Sequence, residues 1–203
     1  MRVLYLRAAM RHQQQYCSLK TTEGMKMNSL ILMVVLPLLC AFIIPLIAQF
    51  SQSVAKFIGP VVLLFILSMV ATSWLQVGRG AEAIFVGGFL PPVGIVYYID
   101  HFSLMFSALI AVMLLVVWPW QNTSPRQYSL YMLLAAACFG LVLSADLFNL
   151  YVFYELLAVA TYGLIARQKN SSATAASLRY LFVSSAGSVM LLLGIAIIYT
   201  LTG

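Results

Sequence analysis

Charged and turn residues divide this chain into six apolar runs: Ser29 to Phe50, Phe57 to Trp74, Val96 to Trp118, Ser129 to Leu143, Leu147 to Ala166 and Leu178 to Leu201. The hydrocarbon core of a bilayer is about 30 Å thick, and an α-helix crosses it in about 20 mostly apolar residues. No other feature restricts the fold so strongly. With 63% hydrophobic and only 8% charged residues, a chain of 203 has too little polar surface to cover a soluble globule. The expectation is an all-α integral membrane protein with about six transmembrane helices and no soluble domain.

The segments between the runs refine this. Pro37 and Pro45 fall inside the first run, where a membrane helix tolerates them if neighbours satisfy the freed carbonyls. Between runs two and three, Gly87-Gly88 is flanked by β-prone residues and followed by Pro91-Pro92, the pattern of a small β-hairpin at the membrane surface. Only "SAD", Ser144 to Asp146, separates runs four and five, so those helices should form a tight antiparallel hairpin. Cys40 and Cys138 lie inside runs and Cys17 in the N-terminal tail, a spacing that gives neither a disulfide framework nor a metal pair.

Charge placement speaks to topology. The formal charge is +6, yet the eleven Lys and Arg form no basic stripe with interleaved aromatics, so no nucleic-acid partner is expected. Lys56, Arg126, Arg167, Lys169 and Arg179 fall on one side of the membrane, which the positive-inside rule makes cytoplasmic. Arg79 and the tail fall on the other side, and the five cations between Arg2 and Lys26 offset that bias. Three readings of residues 1–27 stand open: sequence upstream of a true start at Met25 or Met27, a cleaved targeting peptide, or an ordinary tail. A start at either methionine puts the N-terminus outside. Residues 28–203 then form the transmembrane domain, in a plasma membrane of prokaryotic type.

Outside the tail there are four acids: Glu82 in the surface loop, Asp100 and Asp146 at helix heads, and Glu155. Only Glu155 is deep, nine residues or about 13.5 Å of helix rise beyond Asp146, near the bilayer midplane. A carboxylate at the centre of a spanning helix costs about 2.5 to 3.5 kcal/mol on insertion scales, so it marks a functional site by default. On its face of the helix it has Phe148, Tyr151, Val152, Ala158, Val159 and Tyr162, and the two tyrosine hydroxyls could donate to it or hold water. A protonated glutamic acid bonded to another helix is the plainer alternative.

The other polar candidates have simple structural roles beside functional ones. Asp100 suits a helix N-terminus, and His101 beside it either titrates near neutrality or is a surface residue. Arg179 reads as an anchor at the cytoplasmic end of run six. Ser184, Gly187, Ser188 and Gly194 make a small-residue surface suited to close helix packing. Motifs for phosphate binding, metalloprotease and serine-hydrolase chemistry are missing, and no histidine pair for haem occurs in the runs, so no cofactor or metal is expected.

The stretch "DLFNLYVFYELLAVATYGLIA", Asp146 to Ala166, resembles the fifth helix of the antiporter-like membrane subunits shared by multisubunit Mrp-type cation/proton antiporters, membrane-bound hydrogenases and respiratory complex I. Gly87 to Leu109 is similar to that family's surface hairpin leading into helix three, and Leu178 to Gly203 to its helix six. Tyr154 stands where complex I subunits usually have Trp, which inclines the resemblance to the Mrp side, near its D-type or A-type subunits.

The resemblance implies the first part of an antiporter-like helix bundle, ending before the family's helix seven. It implies that Glu155 serves proton translocation by pairing with a lysine on that helix, with Tyr151, Tyr162, Asp100, His101, Asp146, Arg179 and Ser188 as supporting polar residues. None of the lysines here, Lys20, Lys26, Lys56 or Lys169, is placed in the membrane core, so that lysine is expected from a polytopic partner subunit. The implied function is a subunit of an Mrp-type sodium or potassium/proton antiporter. Alternatives are a proton-pumping subunit of an NADH:quinone oxidoreductase or membrane-bound hydrogenase, and a structural element or truncated remnant without transport.

Overall fold

The structure, a computed structural model, describes residues 24–76, 82–85, 95–121, 123–167 and 170–202. Expectations for residues 1–23, including Cys17 and the tail's basic residues up to Lys20, lie outside them, as do Arg79, Gly87-Gly88, Pro91-Pro92 and Lys169. Six helices and one two-stranded antiparallel sheet make up the described chain: α1 (Gly24–Ile47), α2 (Gln52–Gln76), β1 (Glu82–Phe85), β2 (Val96–Ile99), α3 (His101–Val116), α4 (Pro125–Leu143), α5 (Leu147–Ile165) and α6 (Ser171–Thr202). The expected all-α membrane architecture with a small hairpin after the second helix is what the chain adopts. Four helices, α2, α4, α5 and α6, are long and apolar enough to cross a membrane; α3 and the apolar stretch Ile31–Ile47 of α1 are shorter.

Several boundaries differ from the apolar runs. Val96 to Ile99, placed by hydropathy at the head of run three, is strand β2, paired so that Val96 faces Phe85 and Ile99 faces Glu82. The β-prone "VYYI" satisfies its backbone in the ladder, and α3 starts only after Asp100. There the Asp100 carboxylate accepts from Ser103 N (2.7 Å) while Asp100 N donates to Ser103 Oγ (3.0 Å), a reciprocal cap that fixes the helix start. Helices α2, α4 and α6 begin several residues before their apolar runs, because polar residues such as Gln52, Arg126 and Ser171 form first turns outside the hydrocarbon region.

α4 is the centre of the bundle, packing on α1, α2, α3 and α5 as well as on β2. Its small side chains allow this: Ala135, Ala136, Ala137 and Gly140 are buried among Met132, Phe139 and Leu143. A Cβ on Gly140 would lie 2.3 Å from the ring of Phe153, so the absence of a side chain lets α5 seat that ring against α4. α6 packs chiefly on α5 and is the least covered of the spanning helices.

The prolines show how buried backbone is satisfied. A proline leaves the carbonyl four residues earlier without its helical donor. Pro45 frees Ala41 O, which accepts from Ser129 Oγ of α4, as required of a proline in the first helix. Pro60 in α2 frees Lys56 O, and the indole Nε1 of Trp118 donates to it at 3.2 Å. Trp118 reaches that carbonyl across Gly59, where any Cβ would sit 2.0 Å from the indole. Its ring also stacks on Tyr128, whose hydroxyl donates to Gln121 O at 2.9 Å. In both cases a side chain from outside the helix supplies the donor that Pro45 and Pro60 remove.

Candidate functional site

α5 carries the one deep acid. Its N-cap is Asp146, whose Oδ2 accepts from Asn149 N at 3.1 Å, and the turn from α4 is as tight as the three-residue "SAD" connection requires. Phe153 on Gly140 and Gly163 on Leu130 fix the antiparallel register of α4 and α5 and put Glu155 at the level of Cys138. Ser177 Oγ donates to Tyr162 O at 3.0 Å, and the Tyr199 hydroxyl donates to Asp146 Oδ1. Between those two ties, Glu155 falls at the depth of the α6 turn that holds Ser184 to Met190.

Glu155 is partly buried, and its Oε1 is buried without a hydrogen-bond partner. Neither Tyr151 nor Tyr162, although on its face, donates to that oxygen. Positions three, four and seven residues away on the same face are Val152, Val159 and Phe148, all exposed. The carboxyl therefore borders an apolar helix face that no described part of the chain covers. A buried polar oxygen left without its hydrogen bond costs about 1 to 3 kcal/mol. A donor or cation on a helix laid over this face would relieve it.

The remaining candidates divide between the two ends. At the end of the hairpin, Asp100 caps α3, and exposed His101 meets Trp74 edge-on at 5.0 Å. Asp146 binds Tyr199 at the same end, so Asp100, His101 and Asp146 share a surface that is distant from Glu155. Arg179 is exposed near the start of α6 at the opposite end. Ser188 is buried toward α5 and donates to Ser185 O at 3.1 Å. The small-residue surface expected on α6 is split: Ser184 and Ser188 turn toward α5, whereas Cβ atoms on Gly187 or Gly194 would meet nothing within 4 Å. Helical rotation separates these residues although they are neighbours in sequence. Among the described residues no cluster of His, Cys, Asp or Glu has the makings of a metal site.

Sequence reasoning missed a polar cluster at the head of α5. Asn149, buried, donates from Nδ2 to Ser144 Oγ at 2.7 Å and lies by the Tyr97 hydroxyl. Tyr97 pairs with Ser144 in a β-bridge, and Ala145 N donates to Val96 O at 2.9 Å. Burial pushes the Tyr97 phenol above its ordinary pKa, and the Asn149 side chain opposes this in part. The signal in sequence was slight: Asn149 stands three residues after a capping Asp, but nothing local ties it to a tyrosine 52 positions earlier.

Comparison with known proteins fits this geometry. A family model described as "NADH:quinone oxidoreductase/Mrp antiporter, TM" matches residues 144–203, from the cap of α5 to the last residue of the chain. A probable K(+)/H(+) antiporter protein of Rhizobium meliloti, a D-type subunit, is 31% identical over 86% of this chain and 34% of its own length. The chain is thus similar to antiporter-like membrane subunits over most of its own length, and the family model covers its last two helices. An N-type subunit of the NADH-quinone oxidoreductase of Desulforudis audaxviator is 33% identical over 85% of the chain and 36% of its own length. The structure of the Mrp complex from Dietzia sp. DQ12-45-1b superposes with a TM-score of 0.78 at 27% identity, over 87% of this chain and 35% of that one. The chain thus spans about a third of the length of the curated relatives it matches. For this antiporter-like chain the membrane assignment and the helical fold stand on sequence, structure and kinship together.

Proposed function

We propose that the chain is a membrane component of an Mrp-type cation/proton antiporter, in which Glu155 is the intramembrane carboxylate of a proton path. The observation that carries the reading is the buried, partnerless Oε1 of Glu155, set beside an uncovered face formed by Phe148, Val152 and Val159. Polypeptide lying over that face brings a basic side chain, a lysine, to the glutamate. At low dielectric, making or breaking that pair moves the proton affinity of both partners, which turns a conformational change into proton transfer. Further polytopic subunits in the plasma membrane complete the assembly, with the Lys56, Arg126 and Arg179 end of the helices cytoplasmic. The likeness to D-type antiporter subunits supports this version.

The test is cation-driven proton movement in everted membrane vesicles carrying the whole complex. Glu155→Gln abolishes exchange while the complex still assembles; full exchange by an assembled Glu155→Gln complex ends the proposal. The likeness to the N-type oxidoreductase subunit favours a second reading, a proton-pumping subunit of a quinone reductase. Under that reading, proton movement follows electron supply and is indifferent to added sodium or potassium.

A further inference from the structure

The polar cluster at the head of α5 joins four elements from three stretches that are far apart in sequence. Tyr97 comes from β2, Ser144 from the end of α4, Asp146 and Asn149 from the start of α5, and Tyr199 from the last turns of α6. The ties are specific: Asn149 Nδ2 to Ser144 Oγ, Tyr199 to Asp146 Oδ1, and the Val96–Ala145 and Tyr97–Ser144 strand contacts, with the Tyr97 hydroxyl beside Asn149. β2 leads through Asp100 directly into α3, so the hairpin is joined to the head of α5 on one side and to α3 on the other.

Below this cluster α5 is held differently. Phe153 on Gly140 and Gly163 on Leu130 are apolar contacts that set distance and register. The next polar tie between helices is Ser177 to Tyr162 O, about 24 Å of rise from Asp146. Because hydrogen bonds are directional, the several ties at the head of α5 restrain its rotation there. A rotation of about 10° moves a side-chain tip lying about 5 to 6 Å from the axis by about 1 Å. At Glu155, on the edge between a buried seam and an open face, a shift of that size changes which surroundings the carboxyl meets.

We propose that the Tyr97–Ser144–Asp146–Asn149–Tyr199 cluster is a positioning site that sets the rotation of α5, and thereby the environment of Glu155, and that it connects the surface hairpin to that carboxyl. None of the five touches Glu155; they act through the helix. The inference takes its meaning for transport from the proposed role of Glu155, but the positioning itself is measurable without transport. Along the stretch of α5 from Tyr151 to Tyr162 the titratable groups of the described chain are Tyr131 and Cys138 on α4, Tyr151, Tyr154 and Tyr162 on α5, and Arg179 and Tyr180 on α6; the two turns of α6 from Ser184 to Met190, level with Glu155, contribute none.

The experiment uses dicyclohexylcarbodiimide, which modifies protonated carboxyls in apolar surroundings, on native membranes containing the complete complex. Mass spectrometry follows adduct formation on Glu155 against pH. Asn149→Ala and, as a milder change, Tyr199→Phe are compared with Thr200→Ala, which alters an exposed residue next to the cluster. The proposal expects the labelling half-point to move by at least about half a pH unit, about threefold in the protonation ratio, in both cluster variants and not in Thr200→Ala. An unchanged half-point in assembled Asn149→Ala and Tyr199→Phe complexes overturns it. If the half-point moves but Glu155→Gln leaves exchange intact, the positioning holds and the transport role of Glu155 is what fails.

Discussion

Gly59→Ala is the smallest change that tests how α2, α3 and α4 are locked together. The added methyl would sit 2.0, 2.4 and 2.6 Å from three carbons of the Trp118 indole, well inside van der Waals contact. To restore contact the ring must retreat by about 1 to 2 Å, beyond what its 3.2 Å bond to Lys56 O can absorb. That carbonyl has already lost its helical donor to Pro60, so it becomes an unsatisfied acceptor among packed helices. Overpacking costs about 1 to 3 kcal/mol and an orphaned buried acceptor about 1 to 3 kcal/mol, for a destabilisation of about 2 to 6 kcal/mol. The assay is reversible unfolding of the protein in mild detergent, titrated with dodecyl sulfate and followed by tryptophan fluorescence. A double variant isolates the cause: with Trp118→Leu in place there is no indole to strike, so adding Gly59→Ala to it should cost less than about 1 kcal/mol. Equal penalties for Gly59→Ala in both backgrounds would refute the reasoning.

Other expectations follow from single contacts. Ser129→Ala removes the donor to Ala41 O, freed by Pro45, and should destabilise by about 1 kcal/mol in the same titration, typical of hydrogen bonds between membrane helices. Gly187→Leu faces open space, so it should leave the stability of this chain unchanged while lowering the recovery of partner subunits on gentle extraction. Because burial raises the Tyr97 phenol in the folded protein, the stability at stake is intact below the ordinary tyrosine value of about 10 and is lost as pH rises past it. Protection of the hairpin amides, relative to their base-catalysed intrinsic exchange, should therefore fall above about pH 10 in the native protein, and Tyr97→Phe should show no such fall.

The helices were legible because their cause is local: apolar runs long enough for a bilayer, bounded by Asp100, "SAD" and the basic loops. The start of α3 was misplaced because hydropathy does not distinguish an apolar strand from an apolar helix end, and "VYYI" is both apolar and β-prone. Glu155 stood out by chemistry alone, since no other acid lies so far from a helix end. What surrounds it was less legible. The facing of Gly187 away from α5, the reach of Trp118 to Lys56 O and the meeting of Tyr97 with Asn149 are tertiary facts. They depend on how helices rotate against one another, and near-uniformly apolar helices leave that rotation unmarked.

The most direct test of the account is proton exchange by the assembled complex in everted vesicles, compared between native protein, Glu155→Gln and Glu155→Asp. Glutamine keeps the shape and removes the proton site, whereas aspartate keeps the proton site on a shorter arm. The account predicts exchange lost with glutamine and partly retained with aspartate, at equal recovery of the complex. Undiminished exchange with glutamine at this position would contradict it.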